Sequence, residues 1–248
     1  MGLDYVDLYL AHWPVVFKAG PNIAQARAFP NATNADKAIA TTDDDSPVVD
    51  WQYCTESIAA AGGHKGSFKP TWQAMQKLVD SGKTRAIGVS NFNIAQLKEV
   101  LEIGGTVPLS GNQVEAHPFF PNSELFKFMK DQGILAFAYC PFAGQNKGKA
   151  LVQEPEVLRI ANKNGLEVGQ LLQSWAVQRG TIPLGKSQTP GKCHALLQKT
   201  EANFAARIKS NLDIKSLPDE DVHAIDALDK GPEGRSVNPG PGWGVKLY

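Results

Sequence analysis

"DLYLAHWP" occupies residues 7–14, and its reading decides the fold. Leu8, Tyr9, Leu10 and Ala11 suit a strand that a core can cover. The run then ends at once in His12, Trp13 and Pro14. Proline has no amide hydrogen for a ladder, so a strand over "YVDLYLA" (5–11) must stop before Pro14. An apolar strand with a polar side chain at its C-terminal tip is the pattern to look for elsewhere in the chain.

The pattern recurs. "RAIGVS" (85–90) ends in Ser90 and Asn91, and "GNQVEA" (111–116) carries Gln113 and Glu115. "ILAFAYCP" (134–141) ends in Tyr139 and Cys140, and "TIPLGKS" (181–187) in Lys186 and Ser187. Helical spacing lies between these runs. Trp72, Met75, Leu78 and Val79 predict a helix over 70–82. Further helices are predicted over 93–104 with Asn93 as cap, and over 122–133 with Asn122 or Ser123 as cap. "PEVLRIANKNG", "EVGQLLQSWAVQRG" and a segment near 218–229 complete the set. Short apolar strands alternating with helices predict an α/β fold of parallel strands buried on both faces.

Two architectures fit, an open doubly wound sheet and a (β/α)8 TIM barrel. No GxGxxG follows any strand, which counts against the dinucleotide-binding open sheet. Polar strand tips that gather on one face are what a barrel uses to build its site. Five strands are readable, whereas a closed barrel needs eight. The expectation is therefore a single domain over 1–248, a partial (β/α)8 TIM barrel lacking its first three strand–helix units.

Composition narrows the function. The chain of 248 residues has 25 basic and 25 acidic side chains and zero formal net charge, which gives no reason to expect nucleic acid or an anionic membrane as partner. Cys54, Cys140 and Cys193 are odd in number and far apart, which fits reduced thiols in the cytosol. No apolar run is long enough to cross a bilayer, and Asp4 and Asp7 interrupt any leader-like start. His64, His117, His194 and His223 show no metal spacing. Residues 15–67, rich in Ala, Asn, Asp, Gly and Pro, read as a long loop insertion with at most short helices.

Those strand tips, in that order, resemble the aldo-keto reductase family. "GLDYVDLYLAHWP" resembles its fourth strand with the active-site histidine, "GKTRAIGVSNF" its fifth, "NQVEAHP" its sixth and "AYCPFAG" its seventh. "IPLGKSQTP" followed by "RIKSN" resembles its cofactor-phosphate loop. The resemblance implies NADPH-dependent reduction of aldehydes or ketones by direct hydride transfer, in a cytoplasmic protein whose full-length form is monomeric. It implies that His12 orients the substrate carbonyl and that Trp13 walls the substrate pocket. Ser90, Asn91 and Gln113 would hold the nicotinamide carboxamide, and Tyr139 would stack on the nicotinamide ring. Lys186, Ser187, Arg207 and Asn211 would clamp the 2′-phosphate that distinguishes NADPH. Cys140 stands where a serine is commoner and reads as a filler, and His117 as structural.

The family's general acid is a tyrosine, tuned by a lysine and an aspartate on the first three units. No substitute for these three is readable in the chain, so little or no reductase activity is expected of it. The alternative is a non-catalytic NADP(H)-binding or regulatory protein. A barrel hydrolase would need a carboxylate pair, and Glu115 is the only strand-end candidate. One departure from the family pattern is the run 191–206, "GKCHALLQKTEANFAA", which separates the phosphate contacts. "GKC" and "ANFAA" can be encoded with splice-donor-like and acceptor-like sequences whose removal leaves "TPARIKSN", so an aberrant insertion is expected there.

Overall fold

The computed structural model describes residues 2–20, 39–41, 47–185 and 209–247. Among these, five strands form one parallel sheet in chain order, β1 (Val6–Ala11), β2 (Thr84–Ser90), β3 (Leu109–Glu115), β4 (Leu135–Tyr139) and β5 (Ile182–Leu184). Helices alternate with them: α1 (Glu56–Ala61), α2 (Lys69–Asp80), α3 (Ile94–Ile103), α4 (Ser123–Asp131), α5 (Gly144–Val152), α6 (Pro155–Lys163), α7 (Val168–Gln178) and α8 (Asp219–Asp226). The α/β expectation holds. The chain divides into two compact units, one of residues 1–112 with 238–248, the other of residues 113–237.

In the first unit β1 and β2 pair in parallel, with Leu10 opposite Gly88 and Ala11 opposite Val89. Gly88 is required by space, because a Cβ there would collide with the Gly111 carbonyl oxygen and lie 2.8 Å from Leu10 Cδ2. Ile87 and Val89 are fully buried. β1 departs from the expected two-sided burial. Its exposure alternates along the strand, and Tyr9 is 48% exposed. Arg85 covers part of that face, 4.2 Å above the Tyr5 ring and 2.8 Å from Asp7 Oδ1.

Helix α3 begins as its sequence predicts. Asn93 Oδ1 accepts the Gln96 amide at 3.0 Å and Gln96 Oε1 accepts the Asn93 amide at 2.9 Å, a reciprocal capping box. One turn later Glu99 serves two other helices. Its carboxylate accepts the amide of Glu56, at the start of α1, at 2.8 Å, and that of Phe68, the residue before α2, at 3.0 Å. Both are amides that a helix leaves without an internal partner. At the far end of α3, the Gly104 carbonyl accepts Trp72 Nε1 at 3.1 Å and Gln76 Nε2 at 2.7 Å.

Among its described residues the segment after His12 holds a 3-10 turn (Trp51–Tyr53) and the short helix α1, together with isolated strand-like bridges. Phe17 pairs with Val49 and Ala19 with Ile39 in antiparallel bridges. Val15, Val49, Cys54 and Ile58 bury a small core with Val245 and Leu247 of the C-terminal tail. The Cys54 thiol is pushed up by burial, against the lowering effect of the Val16 amide, which donates to it at 3.4 Å.

The second unit packs Phe119, Leu151, Ile160, Leu171, Trp175 and Ile225 into one core. β4 and β5 pair in parallel with Tyr139 opposite Leu184. Trp175 Nε1 donates to Asp226 Oδ1 at 2.9 Å, which ties α7 to α8. Arg179 lies over the Trp175 ring and donates to the Pro121 carbonyl and to Ser123 Oγ. Asp221 on α8 accepts Lys163 Nζ at 2.9 Å and Asn164 Nδ2 at 2.8 Å from the end of α6. Helix α5 has no counterpart in the sequence reading.

Two substitutions test this account by chemical denaturation. Gly88→Ala should cost about 1–3 kcal/mol, because the added methyl has a carbonyl in its way. Glu99→Ala should cost about 1–2 kcal/mol by orphaning two helix-start amides at once. A loss no larger than that of a surface alanine substitution would contradict either statement.

Candidate functional site

In the first unit His12 follows β1 directly and its side chain is exposed. Its backbone carbonyl is held by Asn91 Nδ2 at 2.9 Å, and the same nitrogen donates to Ser90 Oγ at 3.1 Å. Both amide hydrogens of Asn91 are thereby committed within the protein. Ser90 and Asn91 are 3% and 5% exposed, so this link between two strand tips is buried. Asn91 sits at φ 65°, a left-handed conformation that asparagine tolerates better than most residues. It does not cap α3, since Asn93 does.

Asn112 makes a matching link one strand further on. Its Nδ2 donates to the Phe92 carbonyl at 2.8 Å and its Oδ1 accepts the Phe92 amide at 3.4 Å. Sequence reasoning missed Asn112. The dipeptide "NQ" at 112–113 was the available signal, since adjacent residues on a strand point to opposite faces and only one was assigned. Trp13 is half-buried and packs in an edge-to-face arrangement with Trp243, ring centroids 5.2 Å apart. Phe17 meets the same indole at 5.1 Å. The environment of Trp13 is thus aromatic packing in which the C-terminal tail takes part.

In the second unit Gln113 is half-buried near the end of β3, and Tyr139 is half-buried as the last residue of β4. The Ala116 amide donates to the Tyr139 carbonyl at 3.2 Å, so the ends of these two strands are tied together. Cys140 follows at φ 52°, and a Cβ at Gly144 would lie 3.4 Å from its Sγ. Asn211 is half-buried, with its Oδ1 2.6 Å from where a Cβ on Gly169 of α7 would be. Lys186, Ser187 and Arg207, like the run 191–206, lie outside the described residues.

Glu115 is a second residue whose role the sequence hid. Its carboxylate accepts the Ser236 amide at 2.6 Å, the Val237 amide at 2.9 Å and His117 Nε2 at 2.9 Å. Burial pushes its carboxyl up, but the hydrogen bonds from His117, Ser236 and Val237 outweigh burial and leave it below the ordinary glutamate range. This carboxylate is committed to structure, which removes it as a hydrolytic group. Asn122, one of the two residues offered as cap of α4, donates Nδ2 to the Glu115 carbonyl at 2.8 Å and makes no side-chain cap bond. His117 is buried, as a structural histidine should be. His64 and His223 are exposed, and His64 stacks on Trp51 with ring centroids 4.7 Å apart. Among the described residues no cluster of His, Cys, Asp or Glu could hold a metal ion, and no helix is long and apolar enough to cross a membrane.

At their strand ends the first unit carries an imidazole, a hydroxyl and an amide, and the second carries an amide and an aromatic ring, an inventory of polar and aromatic groups. Comparison with known proteins gives this inventory a context. The model of the aldo/keto reductase family matches residues 1–230. The chain is 34% identical over 250 residues to the glycerol 2-dehydrogenase (NADP(+)) of Hypocrea jecorina, covering 99% of this chain and 66% of that protein. It is 36% identical over 231 residues to an aldehyde reductase of Saccharomyces cerevisiae, covering 93% of this chain and 62% of that protein. The structure resembles the aldose reductase from Schistosoma japonicum with a TM-score of 0.68 at 27% identity, over 92% of this chain and 60% of that one. It resembles the Bombyx mori aldo-keto reductase solved in complex with NADP with a TM-score of 0.65 at 27% identity, over 95% and 61%. The chain therefore spans just under two thirds of the length of the relatives it matches. The 248-residue chain belongs to the aldo/keto reductase family.

Proposed function

We propose that the chain binds NADPH and that the whole protein it represents reduces small aldehydes or ketones to alcohols by direct hydride transfer. The observation that carries this reading is the set of polar residues at successive strand ends. Ser90, Asn91 and Gln113 would meet the nicotinamide carboxamide, and Tyr139 would stack on the ring. An amide side chain can accept from and donate to another amide at once. Asn91 Nδ2 donates to the His12 carbonyl and to Ser90 Oγ, so this side chain also ties two strand tips together beside the proposed contact. Stacking on Tyr139 needs only a planar face, and it presents one face of the nicotinamide to substrate.

His12 would donate to or orient the carbonyl oxygen, with Trp13 as a wall. Lys186, Ser187, Arg207 and Asn211 would supply the contacts to the 2′-phosphate. The printed activities of the relatives, an NADP(+)-dependent glycerol 2-dehydrogenase and an aldehyde reductase, support the cofactor and the carbonyl–alcohol chemistry. The alternative, a non-catalytic NADP(H)-binding role, uses the same residues without a general acid. The residues assigned here include no tyrosine–lysine–aspartate set, so turnover by the 248-residue chain should lie about 10²–10⁴-fold below ordinary reductase rates.

Two measurements check the reading. Titrating the chain with NADPH and following nicotinamide fluorescence should give saturable binding that weakens about tenfold in Asn91→Ala, the cost of one good hydrogen bond. Absence of saturable binding by the wild-type chain sinks the cofactor assignment. A carbonyl reduction assay on the same preparation should give little turnover, and ordinary enzyme rates would refute the expected inactivity.

A further inference from the structure

Residues 115–120 are gripped from several sides by one later segment, Lys230–Val237. The Lys230 amide donates to the Phe119 carbonyl at 3.0 Å, and Lys230 Nζ lies 3.6 Å above the Phe119 ring. The Arg235 guanidinium lies 4.3 Å above the Phe120 ring. Gly234 passes so close to the loop that a Cβ would collide with the Phe119 carbonyl oxygen. Ser236 Oγ donates to the Ala143 carbonyl at 2.9 Å, and the Lys147 ammonium donates to the Glu233 carbonyl. This strap ends on Glu115, whose carboxylate takes the amides of Ser236 and Val237.

A buried carboxylate is costly unless donors surround it. Glu115 has three N–H donors, two of them from residues more than 120 positions away in sequence. His117 is harder to explain as filler. It is fully buried and its Nδ1 has no hydrogen-bond partner, a cost that an apolar side chain would not incur. Its Nε2 contact to Glu115 accounts for its presence, and an ionised carboxylate only accepts, so Nε2 carries the hydrogen. Gln113 lies two residues before Glu115 on the same strand and therefore on the same face. The intervening turn is fixed to Tyr139 through the Ala116 amide.

We propose that Glu115 and His117 form a positioning pair that latches the Lys230–Val237 strap and, with the strap in place, holds Gln113 in the orientation that meets the nicotinamide carboxamide. The second half rests on the cofactor reading, and the latch does not. Neither residue contacts the reacting atoms.

The test uses the full 248-residue chain. Trypsin cuts after Arg235, inside the latch, only when the strap opens, and mass spectrometry identifies the peptide that begins at Ser236. Glu115→Gln keeps the shape but loses the charge and turns an NH2 toward one of the donors. Cleavage after Arg235 should accelerate by about tenfold or more, while cleavage after the exposed Lys83 stays at its wild-type rate. Gly234→Ala should do the same by lifting the strap off Phe119 without altering the pair. Glu115→Asp, which restores the charge, should recover part of the protection.

Hydrogen exchange on the wild-type chain covers the case in which a variant fails to fold. The Ser236 and Val237 amides should be protected at neutral pH. Groups around the carboxylate are His117 in direct contact, with Lys230, Arg235 and Lys147 on or against the strap. A carboxyl held below its ordinary value stabilises the fold above that value and loses the contribution as pH falls through its folded value. Protection should therefore be intact at and above the ordinary glutamate value and be lost only as pH falls through the lower, folded one. Unprotected amides at neutral pH, or a folded Glu115→Gln chain cleaved at the wild-type rate, overturns the latch. The NADPH dissociation constant should rise about tenfold in both Glu115→Gln and Gly234→Ala. Faster cleavage with unchanged affinity overturns the positioning of Gln113. A wild-type chain that binds no NADPH fails the cofactor reading instead, and the latch then stands or falls on cleavage and exchange alone.

Discussion

A parallel strand that stops leaves amides and carbonyls at its tip with no neighbour to pair with, and a buried backbone group cannot be left so. Here side chains close the tips. Asn91 takes the carbonyl of His12, and Asn112 takes both the carbonyl and the amide of Phe92. Asn122 takes the carbonyl of Glu115. These bonds span 2.8–3.4 Å, are buried or part-buried, and come from a later strand, a later strand end or the start of the next helix. They hold the strand ends in fixed register, and the assigned site residues are those same ends or their immediate neighbours. Asn91 is thus both a residue that satisfies a strand-end carbonyl and one of those proposed to meet the cofactor.

Much of this was legible in the sequence, and the reason is local. The strand–helix alternation follows from short apolar runs and 3.6-residue spacing, so element order and type come through. Asn93 is readable as a cap because its partner, Gln96, is three residues away. What failed was non-local or conformational. Asn122 occupies a cap position, but a carbonyl seven residues back claims its side chain. Helix α5 starts from Ala143 and Gly144, both at positive φ, and its sequence "GQNKGKALV" holds two glycines and little periodicity. It is held by Leu151, which is buried in the second unit's core. Tyr9 reads as a core residue and is exposed, because strand burial depends on what lies over each face.

The candidate site divides in the same way. Resemblance placed Ser90, Asn91, Gln113 and Tyr139, and all four lie at or next to strand ends. The strand-tip pattern drew attention to Glu115, but as an isolated strand-end carboxylate. No property of "NQVEAHP" announces that two amides from beyond residue 235 end on that carboxylate. Long-range satisfaction of a buried charge leaves only a faint mark in the sequence, an acidic residue where an apolar one would pack. His117 has the same character. It reads as structural, and only the three-dimensional arrangement shows which structure it serves.

The choice of side chain at each tip follows from what the tip presents. Asn112 meets a carbonyl and an amide of the same residue, Phe92. A carboxamide donates to one through its NH2 and accepts from the other through its oxygen, which neither an ionised Asp nor a Leu could do. Asn91 and Asn122 each meet a carbonyl, which demands a donor, and an uncharged donor avoids burying an ammonium or guanidinium. Glu115 meets N–H groups alone, two from the backbone and one from His117. For an all-donor environment the acceptor-only carboxylate is the matching group, and the converging donors keep it ionised despite its burial. Where a carbonyl must be met the chain uses asparagine, and where donors converge it uses a charge.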